Sequence, residues 1–215
     1  MHSLATRSLY LCVGARDDMA SFLPAVLRGG VDVVQLREKY LDDDTRRTMA
    51  RLMVPICHEF GVPFVMNDFP ELALDVGADG VHVGQDDVTP AYCRELLGPD
   101  AIVGRSTHDP EEFARGLSEP VTYLSAGPIV ATPTKEGRSP TGVDYAVACQ
   151  RSTTLPVFVT GGVSEESVGQ LVASGLRHFV VVRALTQAAD PETAARRLRQ
   201  ALDAARLAVA VEPAQ

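Results

Sequence analysis

An apolar run, Val31 to Val34, leads directly into Gln35-Leu36-Arg37-Glu38-Lys39, so an amide and two cations stand at the end of what reads as a buried strand. Arg37 and Lys39 lie two apart. On an extended segment both point the same way and suit neighbouring phosphate oxygens, the guanidinium in bidentate fashion. A solvated charged face is the competing account, and the position of Gln35 between apolar neighbours weighs against it. The design recurs down the chain: short apolar runs are followed at once by Asn67-Asp68, by His82, Gln85 and Asp87, by Ser106 and His108, by Thr132, Thr134 and Lys135, and by Gly161-Gly162.

Asp68 and Asp87 terminate consecutive units and supply hard oxygen ligands of the kind Mg²⁺ takes, with water and substrate phosphate completing its octahedron. Two other accounts stand beside this one. Asp68 and Glu71 form a capping-box pattern, and a carboxylate beside Arg37 and Lys39 also balances charge without a metal. Asp86, next door to Asp87, is an alternative ligand. His82 and His108 suit proton transfer at neutral pH, and equally suit satisfying buried backbone near a barrel rim; His2, His58 and His178 read as peripheral. Gly161-Gly162 and the turn Val182-Arg183-Ala184 fall where barrels bind a phosphate monoester through backbone amides. Thr132, Thr134 and Lys135 add two hydroxyls and a cation, adequate for a second phosphate or a leaving pyrophosphate. No activated nucleophile stands out, so the inventory points to displacement of a diphosphate and away from covalent catalysis.

These groups need strands to carry them. Eight β-branched runs alternate with segments of helical period: Ser8 to Val13, Asp32 to Leu36, Pro63 to Met66, Gly80 to Val83, Ile102 to Arg105, Val121 to Ser125, Pro156 to Thr160 and Phe179 to Arg183. Helix starts are marked at Asp68, Asp109, Ser164 and Asp190, where a capping oxygen precedes Pro or Glu. The pattern predicts an α/β fold, a single (β/α)8 TIM barrel over 1–215, with its core at about 8–207, a flexible tail at 208–215 and the active site at the carboxyl ends of the strands. The connection from Ala126 to Gly142, seventeen residues rich in Gly, Pro and Thr, is expected to fold over ligand.

A length of 215 residues with 46% hydrophobic residues supports one sizeable core, and the absence of Trp with 6% aromatics predicts an aliphatic one. The net charge of −8 disfavours nucleic acid and anionic membrane surfaces as partners. Four widely spaced cysteines predict reduced thiols and a cytoplasmic location. The N-terminus does not read as a signal peptide, and no apolar stretch is long enough to span a bilayer. A homo-oligomer is compatible with the sequence, which does not specify one.

Together the motifs Gln35-Leu-Arg37-Glu-Lys39, Asn67-Asp68, Ala78-Asp-Gly-Val-His82-Val-Gly-Gln85-Asp-Asp87, Gly104-Arg-Ser106-Thr-His108, Gly127-Pro-Ile-Val-Ala-Thr132-Pro-Thr134-Lys135 and Gly161-Gly162-Val163 resemble the thiamine phosphate synthase family, from about Leu9 to Leu202. The resemblance implies a transferase that joins two small molecules. The pyrimidine diphosphate (4-amino-5-hydroxymethyl-2-methylpyrimidine diphosphate) loses pyrophosphate, and the nitrogen of the thiazole phosphate (4-methyl-5-(2-phosphoethyl)thiazole) captures the methylene cation. By that likeness Gln35, Arg37, Lys39, Asn67, Ser106 and Lys135 hold the pyrimidine diphosphate, with Arg37, Lys39, Ser106 and Lys135 acting in catalysis. Asp68 and Asp87 hold Mg²⁺. Thr132, Thr134, Gly162, Val182 and Arg183 hold the thiazole phosphate. Arg183 departs from the Ser of many members, and Ser174 to Phe179 lacks their Ala-Asp-Gly. The rival readings are a thiazole tautomerase of the same barrel type and a non-catalytic sensor of thiamine precursors.

Overall fold

A computed structural model describes residues 3–131 and 139–211. The eight runs form eight parallel strands: β1 (Leu9–Val13), β2 (Val33–Leu36), β3 (Phe64–Asn67), β4 (Gly80–Val83), β5 (Ile102–Thr107), β6 (Tyr123–Ala126), β7 (Val157–Val159) and β8 (His178–Val181). They pair in chain order and close as a barrel, with β1 set against β8 so that Leu9 faces Phe179. The helices between them are α1 (Met19–Arg28), α2 (Asp43–Glu59), α3 (Pro70–Val76), α4 (Pro90–Leu97), α5 (Pro110–Leu117), α6 (Val143–Arg151), α7 (Glu165–Ala173), α8 (Arg183–Thr186) and α9 (Pro191–Val211). None of the described helices is long and apolar enough to cross a membrane.

Side chains alternate along each strand between the helix layer and the barrel interior. The outward set (Leu9, Leu11, Val34, Leu36, Phe64, Met66, Val157, Val159) packs against helices in one large buried cluster, each fully buried Leu or Phe contributing about 1.5–3 kcal/mol. This layer is mainly aliphatic, as the composition predicts. The interior differs: Tyr10, Tyr123 and Phe158 meet there with Val33, Val65 and Ile102, and Phe158 packs edge-on to both tyrosine rings. Gly104 makes room for this, since a Cβ there would lie 2.2 Å from the Tyr123 ring.

Local signals start the helices. Thr89 and Asp109 cap α4 and α5 by accepting from Tyr92 N and Glu112 N, Asp190 accepts from Thr193 N, and Pro opens α3, α4 and α5. Two expectations change. Phe69, not Asp68, is the N-cap of α3 and caps without its side chain. Strand eight ends at Val181, because the Val182 carbonyl accepts from Leu185 N and Thr186 N and starts the short helix α8 at Arg183.

Candidate active site

A cavity of about 480 Å³, well sized for small molecules, opens at the carboxyl ends of the strands and is lined by strand-end residues from both halves of the barrel. Gln35, Arg37, Asn67 and Ser106 line it on one side and Gly162, Val182 and Arg183 on the other. Asp and Glu are absent from the described lining, and two guanidinium groups are present, so the cavity is locally cationic within an acidic chain.

Its floor is a chain of buried hydrogen bonds. Cys12 Sγ donates to Gln35 Oε1 at 3.4 Å, and Gln35 Nε2 donates to the Tyr10 hydroxyl at 2.8 Å. That hydroxyl lies 2.9 Å from the hydroxyl of Tyr123, which lies 2.8 Å from His82 Nδ1; His82 Nε2 lies 2.9 Å from Ser106 Oγ. Gln35 Nε2 has only protons to give, so the polarity that leaves every hydroxyl proton an acceptor runs from Tyr10 to Tyr123 to His82 Nδ1. It assigns His82 the Nε2-protonated tautomer, donating to Ser106. Burial holds both tyrosine hydroxyls far above their ordinary pKa, so they remain protonated links. The imidazole of His82 stacks on Tyr123, with ring centroids 5.4 Å apart.

A charged cluster sits beside this floor. Lys39 Nζ is 2.8 Å from Asp68 Oδ2, and the Asp87 carboxylate accepts from Gly84 N at 2.7 Å. Burial raises the Asp68 pKa; the Lys39 ammonium opposes the rise, and hydrogen-bonding contact with Asp87, together with its charge, adds to it. The two carboxylates are therefore neighbours, as their positions after β3 and β4 predict. Asp68 has φ 66°, and it alone among the described non-glycine residues has positive φ. Asp tolerates this left-handed region better than most residues, yet the conformation still costs about 1–3 kcal/mol and gathers at functional positions.

Across the cavity, Gly161 and Gly162 both have positive φ, 91° and 73°, and Ser167 Oγ donates to the Gly162 carbonyl at 2.7 Å. Glycine adopts this region without a Cβ penalty and lets the backbone approach a ligand closely. Thr132, Thr134 and Lys135 lie outside the described residues. His108 is not part of the lining: the Glu112 carboxylate accepts from its backbone N and contacts its Nδ1, both at 2.8 Å. Asp86 is exposed.

Sequence reasoning missed Tyr10, Tyr123, Ser125 and Thr160, all in the lining. Thr160 Oγ1 and Asn67 Nδ2 are buried without a hydrogen-bond partner among the described residues, which suits a cavity built to receive a polar ligand. Cys57, Cys93 and Cys149 are buried free thiols, pushed up to about 12, 11 and 11 chiefly by burial, and so are held in the unreactive form.

A closed parallel barrel with cations, paired carboxylates and a Gly-Gly turn at the carboxyl ends of its strands places the chain among the TIM barrels, a fold that frequently carries phosphate sites at those ends. The chain belongs to the thiamine monophosphate synthase family, whose sequence model matches residues 9–185. It is 38% identical over 202 residues to a thiamine-phosphate synthase of Thermosynechococcus vestitus, covering 94% of this chain and 58% of that protein. It is 46% identical over 179 residues to a thiamine-phosphate synthase of Thermus thermophilus, covering 82% of this chain and 85% of that one. The chain thus spans little more than half the length of the first relative and most of the second. A solved thiamine phosphate pyrophosphorylase from Pyrococcus furiosus shares the fold, with TM-score 0.85 over 94% of this chain and 98% of that one at 23% identity.

Proposed function

We propose that the chain is a thiamine phosphate synthase acting on the pyrimidine diphosphate and the thiazole phosphate. The observation that carries this reading is a division across the cavity: Arg37 lines one side with the Lys39, Asp68 and Asp87 cluster beside it, and the Gly-Gly turn and Arg183 line the other. One side suits a diphosphate and the other a monophosphate.

In this reading Gln35, Asn67 and Ser106 orient the pyrimidine ring over the floor, and Ser106, receiving the His82 Nε2 proton, directs its own hydroxyl proton to the ligand. Arg37, Lys39 and Lys135 meet the diphosphate, whose departure builds negative charge that fixed cations stabilise. Backbone at Gly162 and Val182, with Arg183, Thr132 and Thr134, holds the thiazole phosphate so that its ring nitrogen faces the methylene carbon. Close positioning replaces a chance encounter. The nitrogen carries no proton, so no general base is required, and His82 and His108 keep structural roles.

The donor set fits Mg²⁺: two neighbouring carboxylates suit a hard cation that completes its shell with water and phosphate oxygens. Asp68 and Asp87 would hold the ion, and when bound it neutralises diphosphate charge. Small-molecule substrates and a cytoplasmic setting complete the reading.

The test is an assay of the purified protein with both substrates and Mg²⁺, following thiamine phosphate and pyrophosphate by chromatography with EDTA as control. Equimolar, EDTA-sensitive formation of both products is expected. Folded protein that binds the thiazole phosphate but makes neither product would move the assignment to a tautomerase or a sensor.

A further inference from the structure

Arg46, in the first turn of α2, is 3% exposed, and so buried a charge must be fully partnered. Its Nε donates to Glu38 O at 2.9 Å and its Nη2 to Leu41 O at 2.5 Å. Its Nη1 pairs with Asp43, and the guanidinium carbon lies 3.8 Å from the centroid of the Phe69 ring. The two carbonyls bracket Lys39 and Tyr40, and Phe69 directly follows Asp68. One side chain therefore grips both of the loops that bring Lys39 and Asp68 together at 2.8 Å.

The rest of the β2–α2 loop is lightly tied. Tyr40 is 96% exposed, and the Glu38 carboxylate makes two further links at 3.2 Å, to Ala15 N and Tyr40 N. Lys39 is itself partly exposed, and an ion pair of that kind holds a geometry only weakly. A fork that spans two carbonyls while stacking on a ring fixes the backbone under both partners, and a lysine ammonium cannot do the same.

We propose that Arg46 is a positioning residue: through the backbone of residues 38–41 and the ring of Phe69 it sets the Lys39–Asp68 pair for the diphosphate. This rests on the diphosphate side assigned under the proposed function. The competing role, anchoring α2 to the barrel for stability alone, predicts a lower melting temperature with no selectivity between ligands.

Calorimetric titration of pyrophosphate, with and without Mg²⁺, and of the thiazole phosphate separates the two. Arg46→Gln is expected to weaken pyrophosphate binding about 10-fold, by analogy with the loss when partners that orient metal-ligating side chains are removed, and to change thiazole phosphate binding less than about twofold. Arg46→Lys is expected not to restore pyrophosphate affinity. Arg47→Gln, which removes a surface arginine paired with Asp44 and Asp75, is the control and is expected to match wild type. Pyrophosphate affinity kept in Arg46→Gln, or equal losses for both ligands, overturns the inference. If Arg46→Gln does not fold, Phe69→Leu decides: loss of the stack is expected to weaken pyrophosphate binding about threefold, and unchanged affinity overturns the inference. Wild-type protein that binds the thiazole phosphate but not pyrophosphate removes the diphosphate assignment itself, and the inference with it.

Discussion

The hydroxyls of Tyr10 and Tyr123, 113 residues apart in sequence and on strands that are not neighbours, meet at 2.9 Å in the middle of the barrel. They join Gln35 on one side to His82 and Ser106 on the other, so the cavity floor is one connected object. Tyr123→Phe leaves His82 Nδ1 and the Tyr10 proton without this partner, and is expected to cost about 1–3 kcal/mol of stability. The double change Tyr10→Phe with Tyr123→Phe should cost less than the sum of the single ones. Urea denaturation of all three variants gives the comparison, and strictly additive losses would show that the hydroxyls do not cooperate.

Lys39→Ala removes the ammonium that faces Asp68 and, in the proposed reading, a diphosphate contact. It is expected to weaken pyrimidine diphosphate binding far more than thiazole phosphate binding, and equal losses by calorimetry would contradict the division of the cavity.

Asp87→Ala tests the carboxylate pair. The expected outcome is loss of Mg²⁺-dependent turnover with the circular dichroism spectrum and melting temperature kept close to wild type. Near-normal turnover sinks the metal assignment.

His178 supplies a pH dependence remote from the cavity. Burial depresses its pKa below the ordinary 6.5, against the Arg7 carbonyl that its Nδ1–H meets. A depressed pKa means that the unfolded chain binds the proton more readily. The contribution of His178 is therefore fully present above about pH 6.5 and is lost as pH falls toward the folded value, with a slope of up to about 1.4 kcal/mol per pH unit. Asp42 and Asp190, whose pKa values are lowered by hydrogen bonds at helix starts, act only near and below their ordinary 3.8. Stability measured from pH 7.5 down to 5 should thus fall less in His178→Gln than in wild type, and parallel curves would remove His178 as the cause.

Gly104→Ala pushes a methyl group into the fully buried Tyr123 ring. Overpacking of this kind costs about 1–3 kcal/mol, a drop of roughly 2–4 °C in melting temperature per kcal/mol for a chain of this size. An unchanged melting temperature would mean that the ring can move aside.

The barrel was legible because β-branched runs alternate with capped helical segments, and because polar clusters follow the runs. Gln35, Arg37, Asn67 and Ser106 were legible for the same reason, as polar residues at or just beyond the carboxyl ends of apolar runs. The aromatic floor was not. Parallel strands buried on both faces read as continuous apolar runs, so nothing in Leu9-Tyr10-Leu11-Cys12-Val13 marks Tyr10 as the inward residue until the register with β2 and β8 is known. Asp68 satisfied a capping pattern with Glu71, and sequence spacing could not choose between that and the charge-balancing account; the fold pairs its carboxylate with Lys39. The contacts of Arg46 were equally hidden, because its carbonyl partners lie in a loop whose path only the fold sets.

The paired tyrosines also give the protein an optical handle. The chain has five tyrosines and no tryptophan, so its near-ultraviolet emission comes from a small set of phenols, two of which form the bottom of the cavity. A molecule seated there touches those fluorophores, while Tyr40, at 96% exposure, reports on bulk water. Comparing intrinsic fluorescence of the wild type with that of a Tyr40→Phe protein would let occupancy of the cavity be followed without a label.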